Sequence, residues 1–358
     1  MKAYYFVFVL TLLVSIFYEA KTDKQWQWKL FWTFLPLFIY AAIRVDYGND
    51  YSAYEGIYNE IHTQGFFQFD YDAHSELGFQ FLNRILPSFR SLLVLSAFLL
   101  ALSIGVFCYH NVPRNYLWLI IIMIFLNPEK NIFGILVPIR NGLVCSIFLL
   151  GFVWFQKRKL LRVFILTIAL SYIHTSAIAF LPIAYLAAQN KTFTRKELII
   201  WIGAIVALFA FSMSQLADLF TMLTENEFLD RYQNHFDVSE KHRGWLMIFA
   251  SLLFIILYVF YLLKRSKFLD ANTNSLMRMG MLYSVMMLMG SLSMRASYYY
   301  DMYLLASSTI IFADKKMPEW LRFGVVSLVL ATSLYSMQVW MNSDWWHHSV
   351  YHSLLGDW

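Results

Sequence analysis

Long runs of apolar residues, separated by short polar breaks, make up most of this chain. The stretch LFWTFLPLFIYAAI at 30–43 has no charged residue, and SLLVLSAFLLALSIGVF at 91–107 shows no alternation of apolar and polar positions. A membrane-spanning helix needs about 20 mostly apolar residues, whereas the strands of a membrane β-barrel alternate. The pattern therefore predicts an all-α polytopic integral membrane protein.

The charges in the polar breaks predict how the helices cross the membrane. Lys and Arg are enriched in cytoplasmic loops, so the basic breaks at 21–29 and 157–162 are expected inside. The acidic, aromatic breaks at about 44–90 and 214–244 are expected outside, as the two outer loops of one membrane domain over 1–358. This alternation predicts about twelve transmembrane helices with both ends of the chain outside. The predicted spans lie at about 3–20, 30–43, 91–110, 116–137, 141–156, 163–188 (two short helices), 198–213, 245–263, 277–294, 299–313 and 321–341.

The apolar stretch at 163–188 admits two interpretations. As one long span it would place one of its two basic flanks outside and invert the orientation of everything that follows. As a hairpin of two short helices it keeps both flanks inside and places His174 at the outer tip. We favour the hairpin, because polar backbone at membrane depth is tolerated where protein or a water-filled cavity surrounds it.

Composition narrows the class further. Only 14% of the residues are charged, against roughly a quarter in soluble proteins, and 19% are aromatic. The net charge of +5 does not indicate nucleic-acid binding, because the basic residues stand in short clusters between apolar runs. Cys108 and Cys145 both lie in apolar runs, and no spacing of ligands predicts a metal site or another cofactor.

Four ionisable residues are predicted at the outer membrane–water boundary: Arg44, Arg140, His174 and Arg295. A charge near membrane depth is costly to desolvate, which makes each a candidate functional residue. Any single arginine here could simply extend its guanidinium to the lipid headgroups. Three arginines on one face, each within four residues of Gly, Pro, Asn or Ser, are harder to explain that way.

The chemistry that suits this set is glycosyl transfer from a lipid-linked pyrophosphate sugar. Guanidinium groups bind phosphates in bidentate fashion and keep their charge, so Arg140 and Arg295, assisted by Arg44, are predicted to bind the pyrophosphate. An acceptor hydroxyl needs a general base. The first candidate is Asp50, because Gly48 frees the local backbone and can bend the loop inward; His174 is the second and Glu76 the third, and the sequence does not decide between them. Aromatic rings can stack on sugars, and the candidates are Tyr47, Tyr51, Tyr54 and Tyr299.

The same residues resemble the motifs of one family of membrane proteins. RVDYGNDYSAY at 44–54 resembles the Arg-x-x-x-Gly-x-Asp-Tyr-x-x-Tyr signature of the EpsG family, and SELGFQFLNRI at 75–85 resembles its Glu-x-Gly-Phe segment. IRNGLV at 139–144 and HTSAIAFLP at 174–182 resemble two later segments, with Asn141 where the family usually has Gln. Arg295 with YYYDMY resembles the last one. The resemblance extends over roughly residues 1–315.

The resemblance implies a Wzy-type polymerase of bacterial polysaccharides, such as O-antigen, capsule or exopolysaccharide. Such a protein would be a metal-independent glycosyltransferase with a GT-C-like helical fold. It would act at the outer, periplasmic face of the inner membrane and transfer the growing glycan from undecaprenyl pyrophosphate to an incoming lipid-linked repeat unit. A chain-length regulator and a flippase would be its partners in the pathway. The alternatives left open are a flippase of lipid-linked oligosaccharide, an O-antigen ligase and a membrane acyltransferase.

Overall fold

The computed structural model is almost entirely helical. It describes residues 2–65, 68, 75–156, 160–180, 193–212, 245–288, 291–341 and 351–357. The α-helices are α1 (Lys2–Phe17), α2 (Asp23–Ala42), α3 (Tyr51–Thr63), α4 (Leu77–Ile85), α5 (Phe89–Asn111), α6 (Leu117–Leu126), α7 (Gly134–Leu136), α8 (Ile139–Gln156), α9 (Leu160–Ser171), α10 (Arg195–Ser212), α11 (Trp245–Arg265), α12 (Ala271–Leu288), α13 (Ser291–Ala313) and α14 (Glu319–Met341). Two short strands, β1 (His352–Ser353) and β2 (Gly356–Asp357), pair antiparallel near the C-terminus.

The helices group into two compact units. The first consists of Met1–Ala188 with Ser333–Trp358, and the second is Gln189–Thr332. In the first unit, α1 and α2 form an antiparallel pair, α2 packs on α5, and α5 packs on α8. The end of α2 and the starts of α5 and α8 lie in the same part of the unit.

Helices α2 and α5 begin at residues whose side chains cap them. Thr22 and Gln25 form a capping box at the start of α2, in which each side chain accepts a hydrogen bond from the other residue's backbone N–H. Ser88 accepts a hydrogen bond from the Ser91 N–H at the start of α5. Such caps satisfy backbone donors that the first turn of a helix leaves open. Pro36 lies within α2, where it cannot donate a backbone hydrogen bond.

Three helical segments in the described part of the chain are long and apolar enough to cross a membrane: Phe89–Asn111, Ile248–Phe268 and Glu319–Val339. A fourth crossing arises if two segments joined at a bend, Arg114–Leu126 and Lys130–Leu136, count together. The chain is thus an all-α, multi-pass membrane protein. The count of about twelve helices and the GT-C-like fold remain predictions.

Several predicted spans differ from the structure. The span predicted at 30–43 begins earlier, at Asp23, so most of the predicted basic break at 21–29 is helical, and the span predicted at 277–294 is the helix Ala271–Leu288.

The predicted span at 116–137 is not one straight helix, because the chain turns by 90° around Pro128 and continues through a π-helix, Glu129–Phe133. The predicted span at 299–313 begins earlier, at Ser291, so Arg295 lies within α13 and not between two helices. Serine and tyrosine near Arg295 are compatible with a helix once tertiary packing favours it.

The predicted outer loop at 44–90 contains two helices, α3 and α4. In α3 the buried residues are Tyr51, Tyr54, Tyr58 and Ile61, spaced three or four positions apart, which is the period of one helix face. The predicted outer loop at 214–244 lies outside the described residues. In the stretch 163–188, α9 ends at Ser171, and a turn leads into a 3₁₀-helix, Thr175–Phe180; the remainder also lies outside the described residues.

The core of the second unit contains two sets of paired polar groups. Arg278, fully buried, donates to both carboxylate oxygens of Glu197, at 2.5 and 3.0 Å. The Tyr258 hydroxyl lies 2.7 Å from Ser307 Oγ and 2.8 Å from Ser308 Oγ. Buried polar groups that are satisfied in this way stabilise a helical bundle without exposing a reactive group.

Candidate functional site

Glu76 is the centre of a cluster of ionisable side chains in the first unit. Arg140 Nη1 donates to Glu76 Oε2 at 2.7 Å, and His174 Nδ1 lies 3.0 Å from Glu76 Oε1. The backbone N–H of Thr175 donates to the same Oε1 at 3.1 Å. Three of the residues singled out from the sequence, far apart along the chain, are therefore in direct contact.

The position of Glu76 depends on a close contact made by Gly78. The Gly78 N–H, on the first turn of α4, donates to the carbonyl of Tyr172 at 2.8 Å. A Cβ atom at residue 78 would lie 2.7 Å from that carbonyl oxygen, closer than real Cβ contacts allow. Only glycine lets the start of α4 approach the turn after α9 this closely, and that approach places Glu76 beside His174.

Arg140 lies at the start of α8, next to two aromatic rings. Its Cζ is 5.9 Å from the centre of the Tyr54 ring and 5.8 Å from that of Phe79. Both distances are in the range where the face of a ring attracts a cation. The side chains of Arg140, Glu76 and His174 are 22%, 17% and 23% exposed, so the cluster is partly open to solvent.

The cluster keeps Glu76 ionised. Burial alone would raise the pKa of Glu76, but the hydrogen bond to His174, the charge of Arg140 and the backbone N–H groups lower it to about 2. A carboxylate with so low a pKa is a weak base. It can, however, accept the Nδ1–H proton of His174 in a hydrogen bond and thereby leave the lone pair on Nε2.

Arg44 lies in a second part of the same unit, where the segment near the C-terminus packs against the end of α2. The Val45 N–H donates to the carbonyl of His352 at 2.9 Å, and the Leu354 N–H donates to that of Ile43 at 3.0 Å. Arg44 and Ser353 form an antiparallel bridge between these segments. We call residues 351–357 the C-terminal strap.

Tyr351 anchors the C-terminal strap. Its ring stacks on Tyr40, with centroids 4.4 Å apart, and meets Tyr47 edge-on at 5.0 Å. Its hydroxyl donates to the backbone carbonyl of Tyr40. The ring is buried, so these contacts hold the strap firmly against the end of α2 beside Arg44.

Arg44 is a buried cation that lacks a carboxylate partner among the described residues. Only 3% of its surface is exposed, and its Nε has no hydrogen-bond partner in this part of the chain. Arg90, a second cation, donates through Nη1 to the carbonyls of Ala42 and Arg44, at 3.1 and 2.6 Å. Burial lowers the pKa of Arg44 to about 10, which still leaves it charged at neutral pH.

The tyrosines and Asp50 occupy different surroundings from those predicted. Tyr47, Tyr51 and Tyr54 are buried, and their rings pack edge-on against aromatic rings of the protein. Sugar stacking would require ring faces that this packing largely covers. Asp50 occupies the N-cap position of α3 without making a side-chain cap hydrogen bond. Its charge acts on Tyr54, whose ring lies beside Arg140 of the Glu76 cluster.

The remaining predicted residues belong to the second unit. Tyr299 is buried within α13. Arg295 is on the same helix, and its side chain lies outside the described part of the structure. Within the described residues, no group of three or more His, Cys, Asp or Glu side chains could hold a metal ion.

Arg90 and the C-terminal strap were not predicted from the sequence. Arg90 stands one residue before the predicted span at 91–110, so its position at the outer boundary was a signal that could have identified it. The strap gave no such signal, because a two-residue strand has no periodicity to detect.

Comparison with known proteins identifies the family of this chain. The family model described as "EpsG family" matches residues 27–351, nearly the whole chain. No curated protein and no solved structure matches the chain. The matched range includes Arg44, the Glu76 cluster and the first residue of the C-terminal strap. The chain therefore belongs to the EpsG family, a family of Wzy-type polysaccharide polymerases.

Proposed function

We propose that this protein is a metal-independent glycosyltransferase that polymerises lipid-linked repeat units. The donor is the growing glycan on undecaprenyl pyrophosphate, and the acceptor is one incoming lipid-linked unit. The reaction takes place at the outer, periplasmic face of the bacterial inner membrane. The observation that carries the proposal is the contact of Glu76 with both Arg140 and His174 in a partly exposed cluster.

His174 is the general base of the proposed reaction. With Nδ1–H donated to Glu76, Nε2 carries the lone pair and can accept the proton of the acceptor hydroxyl as that oxygen attacks the anomeric carbon. Glu76 is the positioning residue that fixes this tautomer, as a carboxylate does in other histidine-dependent enzymes. This choice favours His174 over Glu76, whose low pKa makes it a weak base. Asp50 is the alternative base.

The arginines stabilise the leaving group. As the glycosidic bond breaks, negative charge develops on the pyrophosphate oxygen, and a fixed cation nearby lowers the barrier. Arg140 is partly neutralised by Glu76, whereas Arg44 has no carboxylate partner among the described residues. We therefore assign the main pyrophosphate contact to Arg44 and a supporting one to Arg140. Arg295 remains a candidate for the same role.

The decisive experiment is the glycan profile of a strain without this protein, together with mass spectrometry of its lipid-linked intermediates. We expect single repeat units to accumulate, or to appear as one-unit caps, while longer chains disappear. Repeat units trapped on the cytoplasmic side would instead indicate a flippase. Long polymer that accumulates unattached on its lipid would indicate a ligase. Restoring the wild-type chain, but not its His174→Ala variant, should restore long polymer.

A further inference from the structure

A long apolar groove follows the pair of helices α1 and α2 in the first unit. It encloses about 1310 Å³, more than the roughly 300–1,000 Å³ of ordinary small-molecule pockets. Its lining residues on α1 repeat every three or four positions, as one helix face requires. The main lining side chains are Phe6, Leu10, Leu13 and Phe17 from α1, and Pro36 and Ile39 from α2.

Lys2 is the one cation among the residues that line the groove, and it lies at one end with Ile43 and Tyr351. Arg44 does not line the groove but directly follows Ile43, so its backbone lies beside this end. Phe17 and Trp32 line the groove further along. Since α1 has 16 residues and each residue adds about 1.5 Å, the groove follows the helix for roughly 24 Å, most of the thickness of a bilayer's hydrocarbon core.

Two arginines beside this end of the groove have no carboxylate partner among the described residues. A buried charge is normally paired, because leaving water is costly for an ion. Arg44 is buried, Arg90 lies against its backbone, and neither has a carboxylate within 4.0 Å in the described part of the chain. An anionic ligand at this end would supply the missing partner. A diphosphate offsets two cations better than a phosphodiester with a single charge.

We propose that this groove binds the isoprenoid tail of a lipid-linked pyrophosphate, with the diphosphate at Arg44. An isoprenoid tail is a single chain, whereas a glycerophospholipid has two. The proposal rests on the proposed function and specifies where that substrate's lipid is held. Groove and cation together would fix the depth of the pyrophosphate at the membrane surface.

The test places a photo-crosslinking phenylalanine analogue at Leu10, in the groove, or at Leu102 on α5 as the matched control. The two leucines are 38% and 39% exposed, and Leu102 does not line the groove. The full chain is placed in phosphatidylglycerol nanodiscs, undecaprenyl pyrophosphate is added, and the adducts are identified by mass.

We expect at least about tenfold more isoprenoid adduct at Leu10 than at Leu102, and a loss of similar size in an Arg44→Gln background. Equal isoprenoid yields at the two positions, a glycerophospholipid as the main adduct at Leu10, or no effect of Arg44→Gln would overturn the proposal.

A second measurement separates this proposal from the proposed function. The crosslinking probe carries no sugar, so its binding does not depend on glycosyl transfer. Polymer formation is measured in parallel with Leu10→Trp, which fills the groove, and with Leu102→Trp. Isoprenoid crosslinking at Leu10 without any polymer formation by the wild type would support the groove and contradict the polymerase. Normal polymer formation by Leu10→Trp, without crosslinking at Leu10, would contradict the groove alone.

Discussion

At the scale of single residues, the partnership of His174 with Glu76 makes a kinetic prediction. His174→Ala removes the proposed base and should lower kcat by about 10²–10⁴-fold with little change in KM, the usual effect of losing general base catalysis. Asp50→Asn, which removes the competing candidate, should leave kcat within a few fold. Initial rates of polymer formation with purified chain and lipid-linked repeat units provide the measurement. A larger loss from Asp50→Asn than from His174→Ala would show that the base is Asp50.

The charge of Glu76 makes a separate prediction about stability. Its pKa in the folded chain, about 2, is below the value of about 4.3 for an unfolded glutamate. Ionisation therefore favours the folded state, fully above about pH 4.5, and this contribution disappears as the pH falls towards 2. Glu76→Gln should cost about 1–3 kcal/mol at pH 7, because Arg140 loses a charged partner.

Thermal unfolding in detergent between pH 3 and 8 tests this prediction. The difference between wild type and Glu76→Gln should be constant from pH 8 to about 4.5 and smaller at pH 3. If the difference in stability between wild type and Glu76→Gln already changes between pH 6 and 7, a group other than Glu76 accounts for that change.

Removing the charge of Arg44 should have the opposite effect on stability from removing that of Glu76. Because it is a buried cation with no carboxylate partner in the described part of the chain, Arg44→Gln should stabilise the ligand-free protein by about 0.5–2 kcal/mol. The same substitution should raise the KM for the lipid-linked donor at least about tenfold, since one charge-assisted contact is lost. Arg140→Gln is the comparison: its arginine is paired with Glu76, so removing it should destabilise the protein. Destabilisation by Arg44→Gln would mean that Arg44 is structural.

At the scale of elements, the approach of α4 to the turn after α9 can be tested with a pair of glycines. Gly78→Ala puts a methyl group against the Tyr172 carbonyl, which should push Glu76 away from His174 and reduce polymer formation at least about tenfold. Gly56→Ala, in α3, meets no atom within 4 Å and should leave activity unchanged, while it stabilises the helix by about 0.5–1 kcal/mol. Similar activity of the two variants would show that the close contact of α4 with the turn after α9 does not matter to the reaction.

The C-terminal strap makes a second prediction for an element. Tyr351→Ala removes a buried ring and should cost about 3–5 kcal/mol, as large-to-small core substitutions do. Tyr351→Phe keeps the ring and removes only the hydrogen bond to Tyr40, at a cost of about 1 kcal/mol. Leu354→Ala, whose side chain is exposed, is the control and should be neutral. Unfolding curves compare the three, and an equal cost for Tyr351→Ala and Leu354→Ala would contradict the anchoring role.

At the scale of the whole molecule, the sequence predicted the class of fold and the residue types of the site better than their contacts. Apolar runs are local, so helices such as α5 could be read directly from the pattern. The contacts of Glu76 join residues 64 and 98 positions apart, and no local period encodes such a pairing. Helix α3 was missed although its buried tyrosines have helical spacing, because the acidic residues between them suggested a loop.

The orientation of the chain in the membrane is the remaining prediction at this scale. If 163–188 forms a hairpin, Arg162 and Thr194 are both cytoplasmic; if it is a single span, they lie on opposite sides. Cysteines introduced at these exposed positions can be labelled in spheroplasts with a membrane-impermeant maleimide. Background from Cys108 and Cys145 should be low, since both are buried. We expect label at neither position until the membrane is permeabilised, with Ser52→Cys labelled from outside as the positive control. Label at only one of the two positions in sealed spheroplasts would establish a single span, and the topology after it would have to be inverted.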